Sequence, residues 1–202
     1  MKSRLIAGLL MAAMISPAGA ANVAKTYSYF SIGGSTLDAI QKELDLRGPH
    51  VNSTGHRHPG ATQMEFVSRI GYQKSDRGCS IASANVTLKA KIILPNWRRP
   101  RAADADVRLV WDTLASDIKR HEEQHVIIAK NHARMLEQAL LAVRPQSDCK
   151  AAQAKAAQAT QKVLAKHDAA QAEFDRVEGI NFERRIIGLL RYRMQQMAKQ
   201  AG

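Results

Sequence analysis

Five consecutive residues, His121-Glu122-Glu123-Gln124-His125, fit the pattern H-E-x-x-H. In a helix, side chains at positions i and i+4 project from one face, so the two imidazoles can reach one metal ion. Glu122 leaves the helix about 100° further round, beside the metal rather than on it. In zinc sites of this pattern the glutamate acts on a water molecule as a general base. The motif therefore predicts a zinc site with His121 and His125 as ligands and Glu122 as the base.

The motif lies inside a long stretch with helical periodicity. Apolar residues recur at i, i+3 and i+4 from Val107 to Leu136, and acidic residues precede them, as at a helix N-terminus. Both motif histidines fall on this apolar stripe, which faces the protein body. The alternative is a solvated helix that merely contains two histidines and two glutamates. The position of the histidines on the stripe favours ligands of an internal metal.

A catalytic zinc site needs a third protein ligand. His132 lies on the same stripe, but seven residues of helix place it about 10 Å along the axis from His125, outside the shell of one metal. The third ligand is therefore expected from an antiparallel helical return, level with the motif. Spacing leaves five candidates open there: His167, Asp168, Glu173, Asp175 and Glu178.

Residues 1–20 have the composition of a secretory signal peptide. Lys2 and Arg4 precede an apolar run, and Ala18-Gly19-Ala20 fits an A-x-A cleavage site. The apolar run is shorter than the roughly 20 residues that a membrane-spanning helix needs. We therefore expect a periplasmic or secreted mature chain, residues 21–202, without a transmembrane span.

The chain contains two cysteines, Cys79 and Cys149. An even pair in an oxidising compartment favours a disulfide, so the sequence predicts a Cys79–Cys149 bond. A metal site built from the two cysteines is the alternative, but no Cys-x-x-Cys spacing supports it.

Charge and composition narrow the choice of partners. The formal net charge is +12 and aromatic residues make up only 5% of the chain. The basic residues are spread along the sequence and no nucleic-acid-binding motif accompanies them, so a nucleic-acid partner is not expected. Residues 182–197 form a basic amphipathic stretch, which suits packing against the domain or weak contact with an anionic envelope surface.

The mature chain suits one domain, with a sheet-rich half (21–100) and a helical half (101–202). Residues 62–73 and 79–94 alternate like two strands, and the buried phase of the second strand shifts near Ala84 or Asn85, which predicts a β-bulge. We interpret the histidines of residues 50–60 as solvated loop residues. The expected class is α+β: a small antiparallel sheet with a short helix, then a long helical hairpin carrying H-E-x-x-H and a separate C-terminal helix.

The order of these features resembles a bacterial domain-of-unknown-function family described as predicted secreted zinc-dependent proteases. The resemblance covers nearly all of the mature chain and rests on a tyrosine-rich first strand, Gly34 and Leu37, Gly48-Pro49, a cysteine opening the long strand, Leu94-Pro95 with Trp97, Trp111, His121 to His125, and Cys149. It implies zinc as the cofactor and a polypeptide as the substrate.

One segment departs from that family. Its members commonly carry Tyr-Asp…Thr-x-His-Gly downstream of the motif, and the histidine is the natural third ligand. The corresponding stretch here is Phe174 to Asn181, with Ile180 at the histidine position. Glu178, two residues earlier and before a glycine, is interpreted as the replacement ligand.

These observations predict an exported zinc metallopeptidase that hydrolyses peptide bonds with a zinc-activated water and Glu122 as general base. We further expect the strand that ends at Leu94 to align an extended substrate by edge pairing. The alternative is a non-catalytic envelope-associated binding protein with a degenerate peptidase site, which the loss of the family histidine at Ile180 would explain.

Overall fold

The computed structural model describes residues 22–51, 55–101 and 103–201. The elements are, in order, β1 (Asn22–Ile32), α1 (Leu37–Arg47), β2 (His50–Val51), β3 (His56–Arg57), β4 (Ala61–Ser75), β5 (Gly78–Trp97), α2 (Ala105–Leu141) and α3 (Cys149–Ala201). This content confirms the α+β class. The predicted signal peptide lies outside the described residues. Within the described ranges, no helix is both long enough and apolar enough to cross a bilayer.

The three long strands form one sheet in the order β1-β5-β4. β4 runs antiparallel to β5, whereas β1 runs parallel to it. The prediction of a wholly antiparallel sheet was therefore wrong for β1. The period-two pattern of a strand shows which face is buried and carries no information about strand direction. The direction of β1 depends instead on the long connection from β1 to β4. This connection runs through α1, β2 and β3 and carries the chain to the opposite side of β5.

The predicted bulge is present in β5. Ser83 pairs with Gly71 and Ile81 pairs with Tyr72, so Ala82 is the extra residue. The bulge lies two to three residues before the predicted position at Ala84 or Asn85. It moves the buried phase from Cys79 and Ile81 to the even-numbered residues that follow, and so keeps both parts of the strand against the core.

The main core lies between β5 and the helices. Val86, Leu88 and Ile92 of β5 are at most 1% exposed and belong to one cluster with Leu136 and Leu140 of α2. A second cluster joins the end of β5 to the start of α2 and also includes α1: Ile32, Ile40, Leu44, Trp97, Ala103 and Trp111. The two clusters fix α2 along the sheet, and α2 carries the motif.

The predicted disulfide between Cys79 and Cys149 is present and ties the start of α3 to the start of β5. Cys79 also exchanges two backbone hydrogen bonds of 2.8 Å with Gln146. Gly78 has φ of +118°, and a Cβ there would lie 2.0 Å from the Gln146 carbonyl oxygen. Only glycine allows the two backbone segments to approach so closely.

The helical return is one helix of 53 residues. The prediction of a separate C-terminal helix over residues 182–197 was therefore wrong. No proline follows Pro145 in the sequence. Gly179 and Gly188 lie inside α3, where each costs about 1 kcal/mol relative to alanine without breaking the helix.

Candidate metal centre

The H-E-x-x-H motif lies in the middle of α2, where the helix passes the start of β4. Its buried stripe runs through Ile118, Glu122, His125 and Ala129, and His121 lies beside it, half-buried. Glu122 is 5% exposed and His125 is 9% exposed. The glutamate is thus the most deeply buried of the three residues to which the sequence assigned chemistry.

Three potential ligand atoms converge on one point. His121 Nε2 lies 3.0 Å from His125 Nε2, and Asp175 Oδ1 lies 3.2 Å from the first and 3.1 Å from the second. A tetrahedral zinc ion with bonds of about 2.0–2.1 Å separates its ligand atoms by about 3.3 Å. The triangle therefore fits one small divalent ion. Within the described ranges, these three residues are the group with metal-ligand geometry.

Glu178 does not occupy the position that the sequence predicted. Its carboxylate lies 3.6 Å from His121 Nδ1, the ring nitrogen that faces away from the cluster. The same carboxylate pairs with Arg120 and, at 3.2 Å, with Arg185. Glu178 therefore contacts Nδ1 of His121 and not the converging Nε2 atoms. Asp175, one turn earlier on α3, completes the triangle.

The sequence contained a signal for Asp175. It was one of the five residues expected level with the motif, and it follows Phe174, where the family pattern has Tyr-Asp. The interpretation of Glu178 as the ligand followed from the missing histidine at position 180, and Ile180 itself is 70% exposed.

The other three candidates lie outside the cluster. Asp168 accepts from His167 Nδ1 at 3.0 Å, Glu173 pairs with Arg176 at 2.7 Å, and His167 is buried behind the cluster. His132 Nδ1 donates to the Ile128 carbonyl oxygen of its own helix at 2.9 Å. Its exclusion by axial distance therefore agrees with the structure.

The charges of the cluster stabilise one another. Burial alone would raise the pKa of Asp175, but hydrogen bonds from His121 and His125 hold it well below its usual range. Burial alone would lower the pKa of His125, yet its bonds to Asp175 and Gln171 raise it. An anionic carboxylate between two imidazoles is an arrangement that also suits a bound cation.

The Glu122 carboxylate is held by the first residues of β4. Thr62 Oγ1 donates to Glu122 Oε2 at 2.8 Å. A Cβ on Gly60 would lie 2.9 Å from Glu122 Oε1, so a larger residue there would have to displace the Glu122 side chain. Burial raises the pKa of Glu122, and the hydrogen bond from Thr62 partly opposes that effect. No sequence pattern pointed to Thr62 or Gly60, because their contact with α2 is long-range.

A cavity of about 440 Å³ opens onto the cluster. Its wall is formed by β4, α2, α3 and the β2–β3 ribbon, and includes Val51, His58, Met64, Ile118 and Phe182. His50 and His56 are exposed, as the interpretation of solvated histidines required, but His58 is half-buried in the cavity wall. Burial lowers the pKa of His58. The interpretation as a solvated residue was therefore wrong for His58.

Fold and site together define an α+β protein in which a helix pair on a mixed sheet holds a His-His-Asp cluster beside a buried glutamate. Residues 27–183 match the family described as bacterial protein of unknown function (DUF922), and the chain belongs to that family. The matched region contains every residue of the cluster. No curated protein and no solved structure matches the chain significantly. The family description names no activity, so any reaction must be argued from the site.

Proposed function

We propose that the chain is an exported zinc-dependent metallopeptidase in which His121, His125 and Asp175 hold the ion. The observation that carries the proposal is the triangle of ligand atoms with edges of 3.0–3.2 Å next to the buried Glu122 carboxylate. Asp175 replaces Glu178 as the third ligand because Glu178 faces the opposite nitrogen of His121.

The donor set supports zinc. Two imidazoles and one carboxylate are ligands that catalytic zinc sites use, and such sites keep a further position open. The cavity borders His121, His125 and Asp175 and would give a substrate access to an ion held there. The Cys79–Cys149 disulfide supports the export part of the proposal, since such bonds persist in oxidising compartments.

Glu122 is the group that moves the proton. A zinc ion held by His121, His125 and Asp175 would supply Lewis-acid chemistry that makes water a stronger nucleophile. Glu122 accepts a proton from the attacking water and then donates it to the leaving amine. Thr62 fixes one carboxylate oxygen, and the raised pKa of Glu122 suits a group that both takes and returns a proton.

The substrate is aligned by β4. The sequence-based expectation placed edge pairing on the strand that ends at Leu94, which is β5. β5 lies in the centre of the sheet, where β1 and β4 already take its hydrogen bonds. Among the described strands β4 forms one of the two edges of the sheet, and Ala61, Thr62 and Met64 at its start line the cavity. An extended peptide added to β4 therefore reaches the cluster.

The decisive experiment compares two adjacent glutamates. Glu122→Gln is expected to keep stoichiometric zinc and to lose the cleavage of an unfolded polypeptide by about 10²–10⁴-fold. Glu123→Gln is the matched control, because Glu123 is half-buried and contacts β1 instead of the cluster, accepting a hydrogen bond from Tyr27 at 2.5 Å. Its activity should equal that of the wild type. Equal activity of both variants would rule out Glu122 as the base.

The ligand assignment has its own test. Asp175→Asn is expected to weaken zinc binding strongly, whereas Glu178→Gln should retain most of it. The reverse order would return the third-ligand role to Glu178. Stoichiometric zinc in a wild-type protein that cleaves no polypeptide would contradict the enzymatic proposal and favour a non-catalytic binding protein.

A further inference from the structure

Two buried polar residues of α3 lie behind His125 and take no part in the proposed reaction. Gln171 is 9% exposed and His167 is 6% exposed. Such groups are costly to bury unless their hydrogen bonds are made. The bonds that they make connect the core of the protein to one ring nitrogen of His125.

The backbone determines the orientation of the Gln171 amide. Gln171 Nε2 lies 3.1 Å from the His125 carbonyl oxygen, which can only accept a hydrogen bond. The amide nitrogen must therefore face this carbonyl, because a flipped amide would bring two oxygens together. In this orientation Gln171 Oε1 lies 2.6 Å from His125 Nδ1. An amide oxygen can only accept, so His125 Nδ1 must carry the proton.

His167 holds the amide from the other side. Its Nε2 lies 2.8 Å from Gln171 Nε2 and accepts the second amide hydrogen. Its proton is then on Nδ1, which donates to Asp168 Oδ1 at 3.0 Å. Burial lowers the pKa of His167, which agrees with a neutral ring that accepts at Nε2. The edge contact with Phe66, at 5.0 Å between ring centroids, keeps the ring in place.

Asp175 competes for the same proton. Its Oδ1 lies 3.1 Å from His125 Nε2, so without Gln171 a neutral His125 ring would place its proton on Nε2, facing the carboxylate. That tautomer has no free electron pair at the nitrogen that must bind the metal. A hydrogen-bond acceptor on Nδ1 therefore decides whether Nε2 is available.

We propose that Gln171 and His167 are positioning residues that keep the proton of His125 on Nδ1 and leave Nε2 ready for the metal. The role as a preparation for metal rests on the proposed zinc site. The chain of hydrogen bonds from His167 through Gln171 to His125, here called the relay, is itself a property of the metal-free protein. His167 acts through the amide of Gln171, and Gln171 acts on the ligand.

The first test determines which ring nitrogen of His125 carries the proton in the metal-free protein. Nitrogen-15 spectra of the histidine rings at alkaline pH should show His125 protonated on Nδ1 in the wild type. They should show it protonated on Nε2 in Gln171→Leu. His132→Gln is the matched control, since His132 touches the His167 ring but hydrogen-bonds to Ile128 of its own helix, and it should leave the His125 pattern unchanged. A wild-type His125 protonated on Nε2 would overturn the proposal.

The second test separates hydrogen bonding from packing. His167→Gln keeps an acceptor near the Nε2 position and loses the ring, whereas His167→Phe keeps the ring and loses the acceptor. For zinc affinity we expect His167→Gln to stay near the wild type, His167→Phe to be several-fold weaker, and Gln171→Leu to be about 10–100-fold weaker. A merely structural role would make the phenylalanine variant the better one, and that order would contradict the relay.

Failure of the two proposals can be told apart. If the wild type binds no zinc, the proposed function is wrong. The nitrogen-15 spectra of the metal-free protein still show whether the relay keeps the His125 proton on Nδ1. If zinc binds and Gln171→Leu changes neither the His125 tautomer nor the zinc affinity, the relay proposal is wrong and the proposed zinc site is unaffected.

Discussion

The two halves of the α2–α3 helix pair differ in the polarity of their buried side chains. In the half next to the disulfide, the apolar half, the buried side chains are Ala129, Ala133, Leu136, Leu140, Ala152, Ala156 and Val163. In the half next to the cavity, the polar half, the buried side chains include Asp117, Glu122, His125, His167 and Gln171. One pair of continuous helices therefore contains a conventional core and a network of titratable groups.

The difference shows where stability and function reside. Apolar burial stabilises by about 25 cal/mol per Å², whereas the hydrogen bonds of buried polar groups mostly compensate for their desolvation. Within the described ranges, no buried side-chain nitrogen or oxygen lacks a hydrogen-bond partner. The polar half is thus satisfied but contributes little net stability, and the apolar half and the disulfide hold it in place.

The largest expected effect is loss of the disulfide at the apolar end. Cys79 and Cys149 are 70 residues apart, and a loop of that length contributes about 4 kcal/mol on the chain-entropy model. The double variant Cys79→Ala, Cys149→Ala should lose about that much free energy of unfolding in urea titrations. Because the bond is remote from the cavity, the zinc affinity of the folded protein should not change. A loss below about 1 kcal/mol would refute the stabilising role.

A cavity in the apolar half should have the next largest effect. Leu136 is 0% exposed, and Leu136→Ala is expected to lower the free energy of unfolding by about 3 kcal/mol. Leu141, in the same helix and 51% exposed, is the control, and its alanine variant should stay within about 0.5 kcal/mol. Similar losses at both leucines would contradict the division into two halves.

A smaller effect is expected from the ion pair of the polar half. Asp117, 4% exposed, accepts from Arg120 at 2.8 Å and from Arg185 at 3.0 Å. Asp117→Asn removes charge-assisted bonds and should cost about 2 kcal/mol at neutral pH. Asp112→Asn is the control, because Asp112 pairs with Arg99 at the surface and should cost under about 1 kcal/mol.

The pH dependence of the same variant sharpens the comparison. Burial alone would raise the pKa of Asp117, but hydrogen bonds from Arg185 and Arg120 lower it below its ordinary value of 3.8. The stabilisation is therefore present above that value and is lost as the pH falls below it. The stability difference between wild type and Asp117→Asn should shrink between neutral and strongly acidic pH. A difference that stays constant would exclude ionisation of Asp117 as its cause.

The smallest expected effect on stability belongs to Glu122. Glutamine keeps an oxygen that accepts from Thr62 and removes a buried carboxylate, so Glu122→Gln should change the free energy of unfolding by less than about 1 kcal/mol. The variant that loses cleavage would thus fold as well as the wild type in thermal unfolding. A loss above about 2 kcal/mol would mean that the carboxylate has a structural role.

Local patterns in the sequence accounted for much of the fold. The alternation of β4 and β5, the bulge and the long helix α2 follow from side-chain periods of 2 and 3.6, which depend on neighbouring residues alone. The parallel pairing of β1 and the central place of β5 do not, because strand direction and order depend on the path of the connections. The unbroken α3 was missed because a change of composition was interpreted as a helix boundary.

The same division holds for the site. The sequence by itself determined that His121 and His125 share a helix face with Glu122 beside them, since that geometry is set by the i, i+4 spacing of one helix. Only the tertiary structure decided that Asp175 and not Glu178 meets the two Nε2 atoms. One helical turn separates these carboxylates, and the register of α3 against α2 chooses between them. That register is set by the long-range packing of the two helices, so no local pattern around Asp175 contains it.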